Sequence, residues 1–194
     1  MAEAAASDRP DRGEGREALL RAVVRVVARS GFAGLTYRAV AKEAGVTHGL
    51  VTYHFGSRDA MVHEALAWAA SDAIRDSHIQ VADGGLPEFA ESLAELVATE
   101  PDAQAFQFEL ALEARRRPAL RPEVRALYEN YFGVIERSLE ALDLSDDPVL
   151  ARLVFAALDG IVLQQLIFGD GEATDASLER LRSILELVRA SRAR

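Results

Sequence analysis

Glu109 and Glu113 stand four residues apart in a stretch with helical apolar spacing, so both carboxylates fall on one face and suit a cationic ligand. The same pair reads equally well as a solvated face beside Arg116 and Arg117. Little else points to catalysis. The four histidines, His48, His54, His63 and His78, lack a coherent ligand spacing with carboxylates. There is no cysteine, which removes disulfides, thiolate metal sites and thiol nucleophiles together and fits a reducing cytoplasm. No phosphate-cradling glycine loop or nucleophile elbow is present. The expectation is therefore a protein that is not an enzyme and needs no cofactor or metal.

The elements that must carry any site read as helices throughout. Leu20, Val23, Val24 and Val27 recur at helical spacing over about 16–30, with Arg21, Arg25 and Arg29 on one solvated face, and Ser30-Gly31 gives a stop. Thr36 is placed to cap a short helix over about 37–44 closed by Gly45, and Thr47 to cap another over about 48–54. Ser57 caps a long helix over about 58–80, ended by Asp83-Gly84-Gly85. Further helices are expected at about 87–99, 102–117, 122–142, 147–168 and 175–191. No alternating pattern of strand length appears, so the fold class is all-α with about nine helices. Residues 1–15 are polar and read as a disordered arm, 16–57 as an N-terminal head and 58–194 as a helical body.

Ala44-Gly45-Val46-Thr47 is a tight turn between two short helices, the helix-turn-helix arrangement. Val40 and Val46 would pack the pair, while Val51 and Phe55 would anchor the third helix from beneath. Net charge is −9, which at first argues against nucleic acid, but the distribution is uneven. Residues 16–60 hold seven basic and three acidic groups, whereas 61–194 hold 13 basic and 24 acidic. A local positive face is what DNA responds to, because fields decay within about 10 Å at moderate salt. The first residues lack the apolar core of an export signal. The stretch Ala18 to Ala28, read as the longest greasy run, is broken by arginines and too short to cross a bilayer. A soluble cytoplasmic protein without a membrane partner is expected.

The run Gly45-Val46-Thr47-His48-Gly49-Leu50-Val51-Thr52-Tyr53-His54-Phe55-Gly56-Ser57-Arg58 resembles the signature of the tetracycline-repressor (TetR) family. The likeness reaches back through Thr36-Tyr37-Arg38-Ala39-Val40-Ala41 and Gly31-Phe32 to Arg16, about 45 residues in all. It implies DNA-binding roles residue by residue. Arg38 matches a base-reading position on the second helix, where arginine suits guanine. His48, Leu50 and Thr52 match positions facing the bases; Thr36, Thr47, Tyr53, His54 and Arg58 match phosphate contacts, which position without specifying. Gly49 removes the side chain that would hold the backbone away from a groove, or is simply tolerated at a helix start. His54 reads alternatively as packed between Tyr53 and Phe55. Thr52 departs from the tyrosine often found there.

The helix at about 147–168 is apolar round most of its circumference, which calls for burial on two sides. The last helix carries Leu178, Leu181, Leu185 and Val188 at 3,4,3 spacing. Pairing of these two helices with a second copy would give a four-helix interface, as in TetR-like dimers. Leu150, Leu158, Ile161, Val162, Leu181, Leu185 and Val188 are the expected contacts; the alternative is that they fill the body's own core. The resemblance also implies a ligand pocket in the body. Candidate lining residues are Trp68, Phe89, Phe106, Phe108, Glu109, Tyr128, Tyr131, Phe132, Phe155 and Gln165. The expected function is a homodimeric repressor on a palindromic double-stranded operator, released by a small-molecule effector that tilts the long fourth helix. The alternatives are a constitutive DNA-binding protein, or an all-α ligand carrier or enzyme with a vestigial head.

Overall fold

The computed structural model describes residues 12–76, 86–91, 93–144 and 147–192. Among them every element is helical. α1 spans Arg12–Gly34, α2 Tyr37–Ala44, α3 His48–Phe55, α4 Arg58–Asp76, α5 Leu93–Thr99, α6 Pro101–Arg116, α7 Arg121–Ala141, α8 Pro148–Phe168 and α9 Gly171–Arg192, with short 3-10 turns at Leu86–Glu88 and Pro118–Leu120. The expected arm lies largely outside the described residues, as do the expected end of the fourth helix and the glycines at 84 and 85.

The chain divides into two compact units, with the boundary between Trp68 and Ala69. That is eleven residues beyond the boundary expected from the sequence, and the reason is visible in the contacts of α4's first turns. Met61, Val62, Ala65 and Leu66 are buried. Arg16 pairs with Glu64 at 2.8 Å, and the Arg21 guanidinium lies 5.8 Å from the Trp68 ring centre. The start of α4 thus holds to α1 inside the head.

In the head, α1 leaves helical geometry at Gly31 (φ 62°, ψ 179°), so the expected stop is a kink followed by Phe32–Gly34. Leu19, Val23, Val27 and Phe32 form its buried side. α2 and α3 are held by side-chain caps and left-handed glycines. Thr36 Oγ1 accepts from Ala39 N and Thr47 Oγ1 from Leu50 N, while Gly45 (φ 67°) and Gly56 (φ 66°) close the C-termini.

In the body, α8 is packed by α5, α6, α7 and α9. Phe89, Leu93, Val97, Val134, Ile135, Leu139, Val154, Leu158 and Leu185 form one apolar cluster. Arg182 donates to the Phe89 carbonyl at 2.9 Å, and Arg192 reaches Asp147 at 3.3 Å, tying the middle and the C-terminal end of α9 into the body. α9 starts four residues earlier than expected: Gly169 (φ 66°) ends α8 and Asp170 immediately caps the next helix through Ala173 N at 3.0 Å. α8, rather than Ala18 to Ala28, is the longest apolar run. It is long and apolar enough by length and composition to cross a bilayer, with a mean hydropathy of 1.6. One side of it packs into the body's core, and the helix also carries Arg152 and Asp159.

Candidate nucleic-acid interface and ligand cavity

Two buried side chains, Val51 and Phe55, fix the rotation of α3. Residues on its other side must then face outward: His48, Gly49, Leu50, Thr52 and Tyr53 are exposed, Tyr53 by 83%. Tyr53 and the 40% exposed Leu50 stand one helical turn apart on this outward face. A Cβ added at Gly49 would meet nothing within 4 Å, so the chain's own packing does not require glycine there. Thr36, Thr47 and Arg38 are exposed beside this face, and His48 stands edge-on to Tyr37 at 5.7 Å. Thr52 donates its hydroxyl hydrogen back to the His48 carbonyl at 3.1 Å. His54 is half-buried, its ring edge-on to Tyr53 at 5.6 Å rather than held between Tyr53 and Phe55.

Arg58 differs from its sequence reading as a phosphate contact. Its guanidinium donates to the Leu35 carbonyl at 3.1 Å and to the Phe32 carbonyl, fastening α4 to the link between α1 and α2. Arginine has five donors pointing in fixed directions, and at least two of them are used inside the head. Tyr37, given no role in the sequence reading, donates its hydroxyl to the Gly56 carbonyl at 3.2 Å and so joins α2 to the turn after α3. An aromatic residue directly after an N-cap threonine was the available signal. The arginine face of α1 is also less free than expected: Arg25 pairs with Glu43 at 2.5 Å, Arg29 with the same carboxylate at 3.7 Å, and Arg21 with Glu17 at 2.6 Å. Arg38 and Lys42 carry no ion pair among the described residues, so the uncompensated positive charge gathers at α2.

The body holds a partly open cavity of about 50 Å³. Leu93 and Leu96 of α5, Gln104, Gln107 and Phe108 of α6, Tyr128 and Tyr131 of α7, and Phe155, Leu158, Asp159 and Val162 of α8 line it. Aromatic edges fix its wall: Tyr128 meets Phe155 at 5.2 Å and Phe132 meets the same ring at 4.9 Å. Tyr131 donates to Gln107 Oε1 at 2.8 Å, and the buried Gln107 Nε2 has no partner among the described residues. Burial pushes the Asp159 carboxyl above its ordinary range. Burial is also the main cause raising Tyr131, to about 12, with the hydrogen bond to Gln107 opposing it and the Asp159 charge adding to it.

Of the residues expected to line a pocket, Phe108, Tyr128, Tyr131 and Phe155 line this cavity, and Gln165 lines a separate hollow between α8 and α9. Phe132 packs behind Phe155, with Arg152 over its ring at 5.0 Å. Phe89 and Phe106 are closed into the interior, and Trp68 sits in the other unit against Arg21. Gln165 is buried between α8 and α9, where it accepts from Thr174 Oγ1 at 2.8 Å. Glu109 is half-buried away from the cavity. Glu113 is bound to Arg117 at 3.0 Å and Arg116 at 3.4 Å, so the paired carboxylates of α6 do not form a joint site. The acid in the cavity is Asp159, legible in the sequence as the lone carboxylate of the apolar α8, whereas helical spacing singles out Glu109 and Glu113. Gln104 and Gln107 gave no such signal.

Of the seven residues expected at a subunit interface, Leu158, Val162 and Leu185 are buried in the body's own core, and Leu150, Ile161, Leu181 and Val188, partly buried, pack against it. Leu158 and Val162 are cavity wall. The outward side of the same helices carries a different set. Val149, Leu153, Ala156, Gly160, Leu163 and Ile167 follow each other by fours and threes along α8, with Leu153 66% exposed, and α9 adds Ile184 and Leu187. A Cβ at Gly160 would meet nothing within 4 Å. The sequence could not choose the face because a helix apolar all round has no phase.

Comparison with known proteins agrees with this division. Residues 19–65 match the family described as "Bacterial regulatory proteins, tetR family", and residues 85–189 match "Tetracyclin repressor-like, C-terminal domain". The chain is 26% identical over 189 residues to the HTH-type transcriptional regulator BetI of Paraburkholderia xenovorans, covering 91% of this chain and 94% of the relative. It is 35% identical to a TetR-family member of known structure from Streptomyces coelicolor A3, with a TM-score of 0.64 over 87% of this chain and 98% of that one. The multidrug binding protein EbrR, solved with ethidium, is also 35% identical, with a TM-score of 0.60 over 88% and 99%. With its capped α2–α3 head, its all-helical body and matches to both halves of the family, the chain belongs to the TetR family of DNA-binding transcriptional regulators.

Proposed function

We propose that the chain is a homodimeric cytoplasmic repressor that binds a palindromic operator and is released by a small molecule held in the body. The head, from α1 to the start of α4, reads DNA, and the body beyond it binds effector and the second copy. The observation that carries the reading is the outward face of α3, an exposed set of polar and aromatic residues pinned from below by Val51 and Phe55. His48, Leu50 and Thr52 read bases with Arg38, while Thr36, Thr47, Tyr53 and His54 position the head on phosphates and Gly49 admits close approach. Arg58 supports the head from inside. The second copy pairs through the exposed apolar rows of α8 and α9. Two heads on one two-fold axis suit two half-sites a helical turn or more apart.

A small-molecule effector is supported by the cavity among α5, α6, α7 and α8 and by EbrR, which was solved with ethidium. The effector acts by preferring the conformation that does not fit DNA, and its differential affinity sets the shift. α4 begins in the head and continues into the body's part of the chain, so its tilt is the coupling element. The test is a salt-dependent mobility shift with duplexes flanking the coding sequence. Retarded, sequence-preferring complexes that dissociate as salt rises are expected. Indifference to every duplex at low ionic strength overturns the reading, and tighter operator binding on adding effector reverses the proposed sign.

A further inference from the structure

The body cavity is unbalanced in charge. Asp159 enters it from the middle of α8, half-buried, with no hydrogen bond or ion pair among the described residues. Among the described residues no lysine, arginine or histidine belongs to the lining. The titratable groups that share the cavity with Asp159 are Tyr128 and Tyr131 of α7; the lining residues of α5 and α6 are neutral. Both phenols are raised by burial and by the Asp159 charge, so they stay protonated well above neutral pH. The cavity therefore presents one carboxylate beside the rings of Phe108, Tyr128, Tyr131 and Phe155.

Each class of guest meets this lining differently. An anion would add like charge to a carboxylate already short of water. A neutral apolar guest would strip more solvent from Asp159 and give nothing back. A cation answers both features, since it compensates the carboxylate and is attracted to aromatic faces within about 6 Å of their centres. We propose that the cavity is built for an organic monocation, its charged nitrogen against the Asp159 carboxylate and its aromatic or apolar part among Phe108, Tyr128, Tyr131 and Phe155. The free Nε2–H of Gln107 favours, among such cations, those that carry a hydrogen-bond acceptor. The proposal rests on the reading of the body as an effector domain and names the effector's chemistry.

The test compares 4-hydroxyphenyltrimethylammonium with its uncharged carbon isostere, 4-tert-butylphenol, by calorimetric titration of the full-length protein without DNA. The two probes share shape and a hydroxyl and differ in charge. The cation is expected to bind at least tenfold more tightly than the isostere. Asp159→Asn is expected to abolish that preference and leave the isostere's affinity unchanged. With the wild-type protein, acidification is expected to weaken the cation selectively as Asp159 takes up a proton, an arm that needs no variant. Equal or tighter binding of the isostere, a preference that survives Asp159→Asn, or no binding of either probe overturns the proposal. Operator binding by the ligand-free protein is measured alongside: if it persists while the cation fails, the regulator reading stands and only the effector class is wrong.

Discussion

α3 and α8 both turn apolar or aromatic groups toward the outside, for opposite reasons. α3 has eight residues and two buried anchors, so its rotation is fixed and its outer face follows directly. α8 has 21 residues, a cavity and core on one side and an apolar row on the other. A short helix with few anchors announces its working surface, because every position that is not an anchor is outside. A long helix apolar all round announces only that it is covered twice, and the packing of its neighbours decides which side does what.

The contrast can be tested from its most drastic consequence downward. Leu153→Glu leaves the core of a single copy intact because the residue is already exposed there. If the α8 row is covered by a second copy, a carboxylate is buried twice, at roughly several kcal/mol per ion. Sedimentation is expected to show a folded monomer; an unchanged dimer would mean the row lies elsewhere than in the interface. Phe55→Ala removes one of the two anchors of α3 and is expected to destabilise the head by about 3–5 kcal/mol. Specific DNA binding should then disappear while most helical signal from the body persists on melting.

Arg38→Ala or His48→Ala acts on the outer face alone. Each is expected to cost about 1–3 kcal/mol on the cognate sequence and to relax preference at one base position. A uniform loss on all sequences would reassign that residue to the phosphates. Thr47→Ala removes the cap that receives Leu50 N at 3.4 Å and is expected to cost about 1 kcal/mol of stability, with Thr47→Ser close to wild type. The smallest effect is one of sign. Asp159 holds its proton more readily folded than unfolded, so that contribution to stability is complete in acid and lost as pH rises through the raised folded value. Asp159→Asn should therefore melt higher than wild type near neutrality, a difference that fades on acidification through the ordinary carboxylate range.

What the sequence made legible follows the same division. The limits of α2 and α3 were readable within a residue because Thr36, Gly45, Thr47 and Gly56 act locally on backbone geometry. The internal bonds of Arg58 were not legible because its partners, the carbonyls of Phe32 and Leu35, are more than twenty residues away and backbone oxygens leave no trace in residue types. In the body, four of the aromatic candidates reach the cavity, but aromatic identity cannot separate Phe108 from Phe106, two positions earlier on the same helix and closed off. Glu113 drew notice by its spacing from Glu109, yet its partners are the arginines at the end of its own helix.

Because Gly169 and Asp170 alone separate α8 from α9, the two helices form a single hairpin whose halves cannot slide independently. One flank of that hairpin bounds the guest's space and the other carries the exposed leucines and isoleucines. Redesigning the binding volume through Phe155 or Val162 would therefore strain the surface proposed for association. Libraries aimed at new ligand specificities should be screened for molecular mass as well as affinity, and substitutions on α5 and α6, which lie away from that flank, offer the more independent route.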